Sequence, residues 1–288
     1  YLDQTLLDQS GAGFFGCQDY VRAAPVVDNV QADTPPAMFS IIDSYVYCDA
    51  NAVTASAYLD AWWILGHRDC KQRAEAILDY QWQKLRATDG GMYHYFDGQP
   101  HVPGLLRDAV FTGLALLDAY AALHDETYLK RAKHVARDIV RMHRNTTGGF
   151  FDISRPGPGN LKLPIPVLTQ NANAATFFVR LAGLSNDNSY REAAKEALQS
   201  FPNAHRNYET FAAGYGHALA RLLAVPLSIT LAGLPGDPAV RELAQAAFTQ
   251  LGHRELVLKF HEDLNVSVAT AYIDIQGQPL QAITDPKL

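Results

Sequence analysis

Three histidines and three aspartates carry side chains that can transfer protons or flank a bond that breaks. His94 and His101 stand on either side of the Asp97-Gly98 turn of a polar loop, and His217 follows a Gly-Tyr-Gly run within an apolar segment. An imidazole titrates near neutral pH, so a histidine can act as a base or an acid beside a carbonyl group. The carboxylic acids that could take part in acid–base chemistry are Asp19, Asp108 and Asp152.

A second group of polar residues stands near the starts of the apolar segments. Helix N-termini supply unpaired N–H groups and the positive end of the helix dipole. If the apolar segments are parallel helices, their starts gather at one rim and form a polar mouth over an apolar core, the usual form of a small-molecule site. The residues that we predict to bind a substrate there are Asp19, Asp49, Asn51, Arg107, Asn171 and Asn173.

Most of these residues also have a structural explanation. Four stand where helix N-caps belong, namely Asp49, Asp108, Asn171 and Asn173. A cap satisfies N–H groups without any substrate. A lone buried histidine such as His217 is more often a core residue than a catalytic group. The sequence therefore leaves a pocket and a structural network at this rim as open alternatives.

Apolar segments alternate with amphipathic ones along the chain. The apolar segments are residues 51–65, 105–123, 171–184 and 211–225. A helix that is apolar on every face is expected to be buried on every face. Residues 128–143 instead combine an apolar stripe with a basic opposite face, which is typical of an outer helix.

Glycine–aromatic loops connect these segments at a regular interval. Gly90-Gly91-Met92-Tyr93 and Gly148-Gly149-Phe150-Phe151 begin 58 residues apart (148 − 90), and residues 11–15 repeat the pattern. Such a period is typical of stacked helical hairpins. A ring of inner helices wrapped by outer helices explains both kinds of segment.

We therefore predict an all-α fold, an (α/α) toroid of helical hairpins at residues 1–226. Runs of β type at 227–232, 255–260 and 268–273 surround a helical stretch and predict a small α/β element at 227–288, packed on the toroid. A ring of six hairpins has twelve helices, whereas this sequence shows seven or eight. Because the chain also starts at Tyr1, we expect the toroid to be incomplete at its N-terminus.

Composition argues against several functional classes. The formal charge of −6 and the pI of about 5.9 give no basic field for nucleic acid or an anionic membrane. No run approaches the ~20 apolar residues of a membrane helix. Cys17, Cys48 and Cys70 form no C-x-x-C pair, and phosphate-binding and dinucleotide motifs are absent. We predict no metal, no cofactor, no nucleic acid and no membrane as partners.

Five stretches resemble a known family when taken in order. They are residues 13–19 (GFFGCQD), 49–52 (DANA), 92–95 (MYHY) with 103–109 (PGLLRDA), 148–152 (GGFFD), and 269–272 (ATAY) with 284–286 (TDP). Together they are similar to the C-terminal part of thioredoxin-domain-containing proteins related to the spermatogenesis-associated thioredoxin-like protein. That part resembles N-acylglucosamine 2-epimerase and the six-hairpin glycosidases.

The resemblance implies a sugar ligand and a cytoplasmic protein. Sugar epimerisation would use His94, His101 and His217, whereas glycoside hydrolysis would use two of Asp19, Asp108 and Asp152 at about 5–9.5 Å from each other. It also implies a missing N-terminal half, a thioredoxin domain and the first hairpins, in the same or another chain. The alternative is a non-catalytic scaffold or binding module, in which the rim residues are caps.

Overall fold

The computed structural model describes residues 1–22, 38–157, 159–224, 227–233, 237–251, 256–261, 269–275 and 278–284. Three helical hairpins form its centre, and in each an apolar helix precedes an amphipathic one. The hairpins are α1 (Cys48–Leu65) with α2 (Arg68–Tyr80), α3 (Leu106–Leu123) with α4 (Glu126–His143), and α5 (Leu168–Ser185) with α6 (Asn188–Gln199).

Short turns join the two helices of each hairpin. The C-cap residues that follow α1, α3 and α5 are Gly66, His124 and Asn186, and they have left-handed backbones with φ of 74°, 56° and 53°. That conformation stops a helix and reverses the chain. Asp125 and Asp187 then cap the next helix, because their side chains accept a hydrogen bond from the N–H two residues on.

The apolar helices lie side by side and form an arc of inner helices. α1 packs against α3, α3 against α5, and α5 against α8 (Ala213–Leu223), which follows the short helix α7 (Ala204–Tyr208). The amphipathic helices α2, α4 and α6 pack outside their own partners. This is the predicted α/α toroid of helical hairpins.

The two ends of the arc depart from the prediction that apolar helices are buried on every face. In α8 only Ala218 is buried, while Phe211 just before it and Leu223 at its end are 79% and 73% exposed. Val53 of α1 is 49% exposed. The reason is position, since in the described part of the chain α1 packs closely against one inner helix, α3, and α8 against one, α5.

Short strands lie at the N-terminal ends of the inner helices. β1 (Cys17–Arg22) and β2 (Met38–Asp43) form an antiparallel pair. β3 (Val46–Tyr47), β4 (Tyr93–Phe96) and β5 (Pro100–Pro103) form an antiparallel sheet in that order. Because β3 runs directly into α1 and β5 ends just before α3, this sheet is held at the rim. The sequence analysis did not predict these strands.

The glycine–aromatic loops repeat in structure as well as in sequence. An isolated antiparallel bridge closes each loop, between Leu7 and Phe14, between Arg86 and Met92, and between Arg144 and Phe150. The second residue of each bridge is buried in the core. The three loops are therefore closed in the same way.

The C-terminal part forms a four-stranded sheet with one helix. β6 (Leu227–Ala232), α9 (Pro238–Leu251), β7 (Leu256–His261), β8 (Thr270–Ile275) and β9 (Gln278–Ile283) follow in sequence, and the strand order is β7-β6-β8-β9. Only β6 and β7 are parallel. Ile229, Leu231 and Val240 belong to the same hydrophobic core as the inner helices.

Some sequence predictions fall on residues outside the described ranges. These are the proposed boundary at residue 226, the first residues of the predicted strands at 255 and 268, and residues 285–286 of the closing motif. Among the helices that the structure describes, none is both long and apolar enough to cross a membrane.

Candidate functional site

Four of the predicted site residues meet where α1 and α3 begin. Asp49 is the second residue of α1, and Arg107 and Asp108 are the second and third residues of α3. His94 reaches them from β4. We call these four residues the His94 cluster. Gly104 makes the arrangement possible, because it turns the chain from β5 into α3 with a φ of +83°.

His94 and Asp108 form a bonded pair at the centre of the cluster. The Nδ1 atom of His94 lies 3.1 Å from both carboxylate oxygens of Asp108. The Asp108 side chain is 0% exposed, and that of His94 is 28% exposed. Burial raises the pKa of Asp108 to about 6, although the bond to His94 opposes this shift. The same bond raises the pKa of His94 against the opposing effect of burial.

Both shifts raise a pKa above its ordinary value. A carboxylate that accepts a hydrogen bond from Nδ1–H fixes the imidazole tautomer and leaves Nε2 as the proton-transfer atom. The pair therefore has the form of a general acid–base group.

Asp49 and Arg107 form the second half of the cluster. The guanidinium Nε of Arg107 donates to Asp49, and the guanidinium also lies 4.9 Å from the ring of Phe111. The ligand-type atoms of Asp49, His94 and Asp108 all lie within 4.8 Å of one another, a spacing that could hold a divalent cation. Each of the three already has a protein partner, however, and the acid–base pair and the ion pair together account for the geometry.

An aromatic surface borders the cluster on the β3–β4–β5 sheet. Tyr47 stands opposite Tyr95, and Tyr95 opposite His101, so these side chains share one face of the sheet. The ring of Tyr95 lies 4.9 Å from those of both Tyr45 and His101, at interplanar angles of 33° and 21°. We call Tyr45, Tyr95 and His101 the aromatic row. The ring of Tyr47 lies 5.4 Å from that of His94 and links the row to the cluster.

His101 therefore belongs to the aromatic row, and Tyr95 lies between it and His94. The Nε2 atom of His101 lies 2.8 Å from Asp97 Oδ1. The side chains of His101 and Asp97 are 40% and 35% exposed. Pairing with His101 lowers the pKa of Asp97. The next residue, Val102, has a φ of +52°, which a β-branched residue rarely adopts.

Asn51 and Asn171 are buried and bind loop backbone. The side chain of Asn51 accepts from Phe14 N–H at 2.8 Å and donates to the carbonyls of Phe14 and Tyr47. Asn171 makes the same three bonds with Phe150 and Val167. The side chains are 2% and 0% exposed, so both amides fasten a glycine–aromatic loop to an inner helix and we leave them out of the proposed site.

We call this contact, in which a buried asparagine of an inner helix binds loop backbone, the asparagine bracket. The middle hairpin lacks it. Asn51 and Asn171 are the fourth residues of α1 and α5, and the fourth residue of α3 is Ala109. There the carbonyl of Met92 accepts from Gly104 N–H instead. The polar side chain at the start of α3 is Asp108, one residue earlier. The interpretation of Asp49, Asp108, Asn171 and Asn173 as N-caps is wrong, because all four lie inside their helices. The N-cap residues of α1, α3 and α5 are Tyr47, Leu105 and Val167, and none of these makes a side-chain cap bond.

Asp152 and Asn173 lie apart from the cluster's contacts. The side chain of Asp152 accepts from Ile165 N–H at 2.8 Å, and its carbonyl accepts from Leu106 N–H at 2.8 Å. Asp152 thus joins the loop before α5 to the start of α3. Asn173 is half-buried on α5, two residues beyond Asn171.

Asp19 and His217 lie on other elements. Asp19 is exposed on β1, where it pairs in register with Ile41. His217 was predicted to be buried, but it is exposed on α8, and its Nε2 lies 3.4 Å from Arg221 Nε. The prediction failed because α8 is the end of the arc and not an enclosed helix.

Sequence reasoning missed the tyrosines of the rim. Tyr45 and Tyr47, like Tyr93 and Tyr95, are two residues apart, and a period of two is the signal of a strand with one aromatic face. The sequence analysis treated residues 90–95 as a loop, so this signal went unused.

Surface grooves elsewhere are bordered by other residues. One of about 670 Å³ lies between α4 and α6 and is lined by Arg137, Tyr190 and Glu192 among others. Another lies between α6 and α8. Their lining contains none of the predicted site residues.

Solved structures of sugar enzymes share this fold. A cellobiose 2-epimerase from Bacillus thermoamylovorans aligns at a TM-score of 0.53 and 14% identity over 69% of this chain and 51% of its own. A sugar epimerase from a ruminal bacterium gives 0.52 and 16% over 69% and 50%. A D-mannose isomerase gives 0.52 and 13% over 72% and 49%. No family model matches the chain, and no curated protein matches it in sequence.

The comparison establishes the fold. The chain has the α/α toroid of the six-hairpin glycosidase type, a fold of carbohydrate-related proteins. It spans about half the length of the structures that it matches.

Proposed function

We propose that this chain acts on a sugar by moving a proton at the carbon next to the carbonyl, as an epimerase or isomerase does. The observation that carries the proposal is the His94–Asp108 pair, a half-exposed imidazole held at 3.1 Å by a fully buried carboxyl group. The epimerases and the isomerase that share the fold support it. This is the finer form of the predicted sugar-active protein with a sugar ligand.

The proton moves through His94 Nε2. In the open-chain sugar this atom takes the proton from C2 while the carbonyl oxygen gains one from water, which gives an enediol. Return of the proton from His94 to C1, with loss of the C2 hydroxyl proton to water, gives the ketose. Delivery of a proton from water to the opposite face of C2, with loss of the O1 hydroxyl proton, gives the epimer. Asp108 holds the imidazolium that forms, and the guanidinium of Arg107 stabilises negative charge on the sugar oxygen.

Solvent exchange at C2 tests this function directly. In D₂O the chain should exchange the C2 hydrogen of D-mannose or of the reducing unit of cellobiose, as followed by proton NMR. His94→Asn should slow the exchange about 100-fold or more. His134→Asn is the matched control, because His134 is exposed on α4 and should leave the rate unchanged. Equal rates for wild type and His94→Asn would refute the assignment.

Glycoside hydrolysis is the second candidate function. Carboxyl oxygens of Asp49 and Asp108 lie within 4.8 Å of each other, near the ~5–5.5 Å between the carboxyl groups of retaining glycosidases. Release of reducing ends from oligosaccharides without C2 exchange would favour it. The absence of both reactions would favour the scaffold alternative.

We also propose that further helical hairpins complete the ring. The support is the exposed apolar surface of α1 and α8 at the two ends of the arc. A thioredoxin domain, membership in the thioredoxin-domain-containing family and a cytoplasmic location stay predictions.

A further inference from the structure

The aromatic row lies partly exposed beside the His94 cluster, yet the proton transfer does not use it. The Tyr45 side chain is 41% exposed and that of His101 is 40% exposed. Large aromatic rings are normally withdrawn from water when nothing binds them, and an exposed group of them marks a binding surface.

The row extends away from the reacting position by about two ring widths. Ring centroids step 6.2 Å from His94 to Tyr95 and 4.9 Å from Tyr95 to His101. A six-membered sugar ring with bonds near 1.5 Å spans roughly 5 Å with its substituents. A sugar unit at His94 therefore leaves room on the row for its neighbour in a chain.

Resting on the sugar chemistry proposed above, we propose that Tyr45, Tyr95 and His101 form a subsite for a second pyranose unit. The ligand is then a glycan of two or more units and not a free monosaccharide. A pyranose has apolar C–H faces and a polar edge, which match the apolar ring surface and polar tips of Tyr and His.

Charged partners around the row supply hydrogen bonds for sugar hydroxyls. Asp97 lies at the His101 end, and the Asp49–Arg107 pair lies at the His94 end. Carboxylate oxygens accept from hydroxyl groups, and guanidinium groups donate to them. An apolar platform between such groups is the general form of a small-molecule subsite.

The row is held in place before any ligand arrives. His101 is tied to Asp97, and the neighbouring Tyr47, whose ring packs against that of Tyr95, donates its hydroxyl to Asp43 at 3.0 Å. Val102, next to His101, has a left-handed backbone, which persists only where surrounding structure enforces it. Rings that are fixed in advance lose little freedom when they bind.

Binding of matched sugar pairs tests the subsite. Titration calorimetry of the chain with D-glucose and cellobiose, and with D-mannose and β-1,4-mannobiose, should give a Kd at least tenfold lower for the disaccharide of at least one pair. Tyr95→Ala and Tyr45→Ala should bring the disaccharide-to-monosaccharide ratio close to one, and Tyr95→Phe should restore it. Phe211→Ala, which removes an exposed ring from the α8 region, should keep the wild-type ratio.

Each result decides between the subsite and its absence. Equal Kd values within both pairs, or no binding, would overturn the subsite, even if C2 exchange proceeds and the proposed reaction stands. A tenfold ratio without C2 exchange would keep the subsite and remove the proposed reaction. Circular dichroism of each alanine variant separates lost binding from lost folding. Because Tyr45 is 41% exposed, Tyr45→Ala should disturb the fold least.

Discussion

His94 and Asp108 differ in burial, and this difference sets how the pair holds its proton. The buried carboxyl group resists ionisation, whereas the half-exposed imidazole gains a partner for its charged form. Asp49 raises the pKa of His94 further, and Arg107 opposes that effect. The pKa of His94 therefore depends on Asp108 more than on any other neighbouring side chain.

The pH dependence of the reaction follows from the raised pKa of His94. The base is the neutral imidazole, so kcat/KM should rise with pH through an apparent pKa above the ordinary 6.5 of histidine. Asp108→Asn removes the main cause of the raised pKa while burial still lowers it, so the limb should move to lower pH and the rate should fall. The measurement is C2 exchange between pH 5 and 9.

His134→Asn serves as the control for this profile because it lies on α4, outside the cluster. A limb that stays at the same pH in Asp108→Asn would show that another group than His94 titrates.

At the scale of elements, the glycine–aromatic loops depend on side chains from the inner helices. Asn171 satisfies both backbone groups of Phe150 from the first turn of α5, and Asn51 does the same for Phe14 from α1. Buried backbone groups that lose their partner destabilise the fold. These two amides therefore hold loop and helix together as one unit.

Replacement of this bracket should be costly for stability. We expect Asn171→Ala to lower the free energy of unfolding by about 2–4 kcal/mol, because three buried hydrogen bonds are lost together. Asn173→Ala, at a half-buried position of the same helix, should cost less than about 1 kcal/mol. Urea unfolding of both variants measures this difference, and equal losses would contradict the bracket.

Much of the element order was available from the sequence, because it depends on local periodicity. The run at 105–123 predicted α3 (Leu106–Leu123), and the runs at 227–232 and 238–251 predicted β6 and α9. The exposure of the His217 side chain could not be predicted in this way. Its exposure depends on which neighbours α8 has, and a single segment does not encode its neighbours.

The site was predicted in part for a similar reason. His94, Arg107, Asp108 and Asp49 were named because polar residues near helix starts meet at a rim, and they do meet. Asn51 and Asn171 have the same sequence signature, yet they point into the core. One residue of shift along a helix turns a side chain by about 100°, so only the structure separates these two roles.

Across the whole molecule, the inner helices carry charge at one common depth. Asp60, Asp118 and Arg180 are each the thirteenth residue of α1, α3 and α5. Arg180 pairs with Asp118 at 2.5 Å, and Ser56 donates to the same carboxyl group. Asp60 faces Asp118 with a pKa raised by burial and by that carboxylate. The charge of Arg180 opposes this rise of the Asp60 pKa.

Completion of the ring should be visible in the native mass. We expect the species that carries this chain in its source cells to be heavier than the 31.7 kDa of the chain, because the exposed faces of α1 and α8 would be covered. Native mass spectrometry of the purified species measures this mass. A species of 31.7 kDa would contradict closure by additional hairpins and strengthen the scaffold alternative.

The absence of the asparagine bracket from the middle hairpin has a consequence for the history of the chain. Two sister repeats keep an amide at the fourth helical position, whereas the repeat between them has Ala109 there and a buried acid one residue before it. In a duplicated architecture, one repeat can lose a side chain that stabilises the fold while the other repeats keep it. New chemistry would then arise at the copy where the repeat is broken, and this is where His94 meets Asp108.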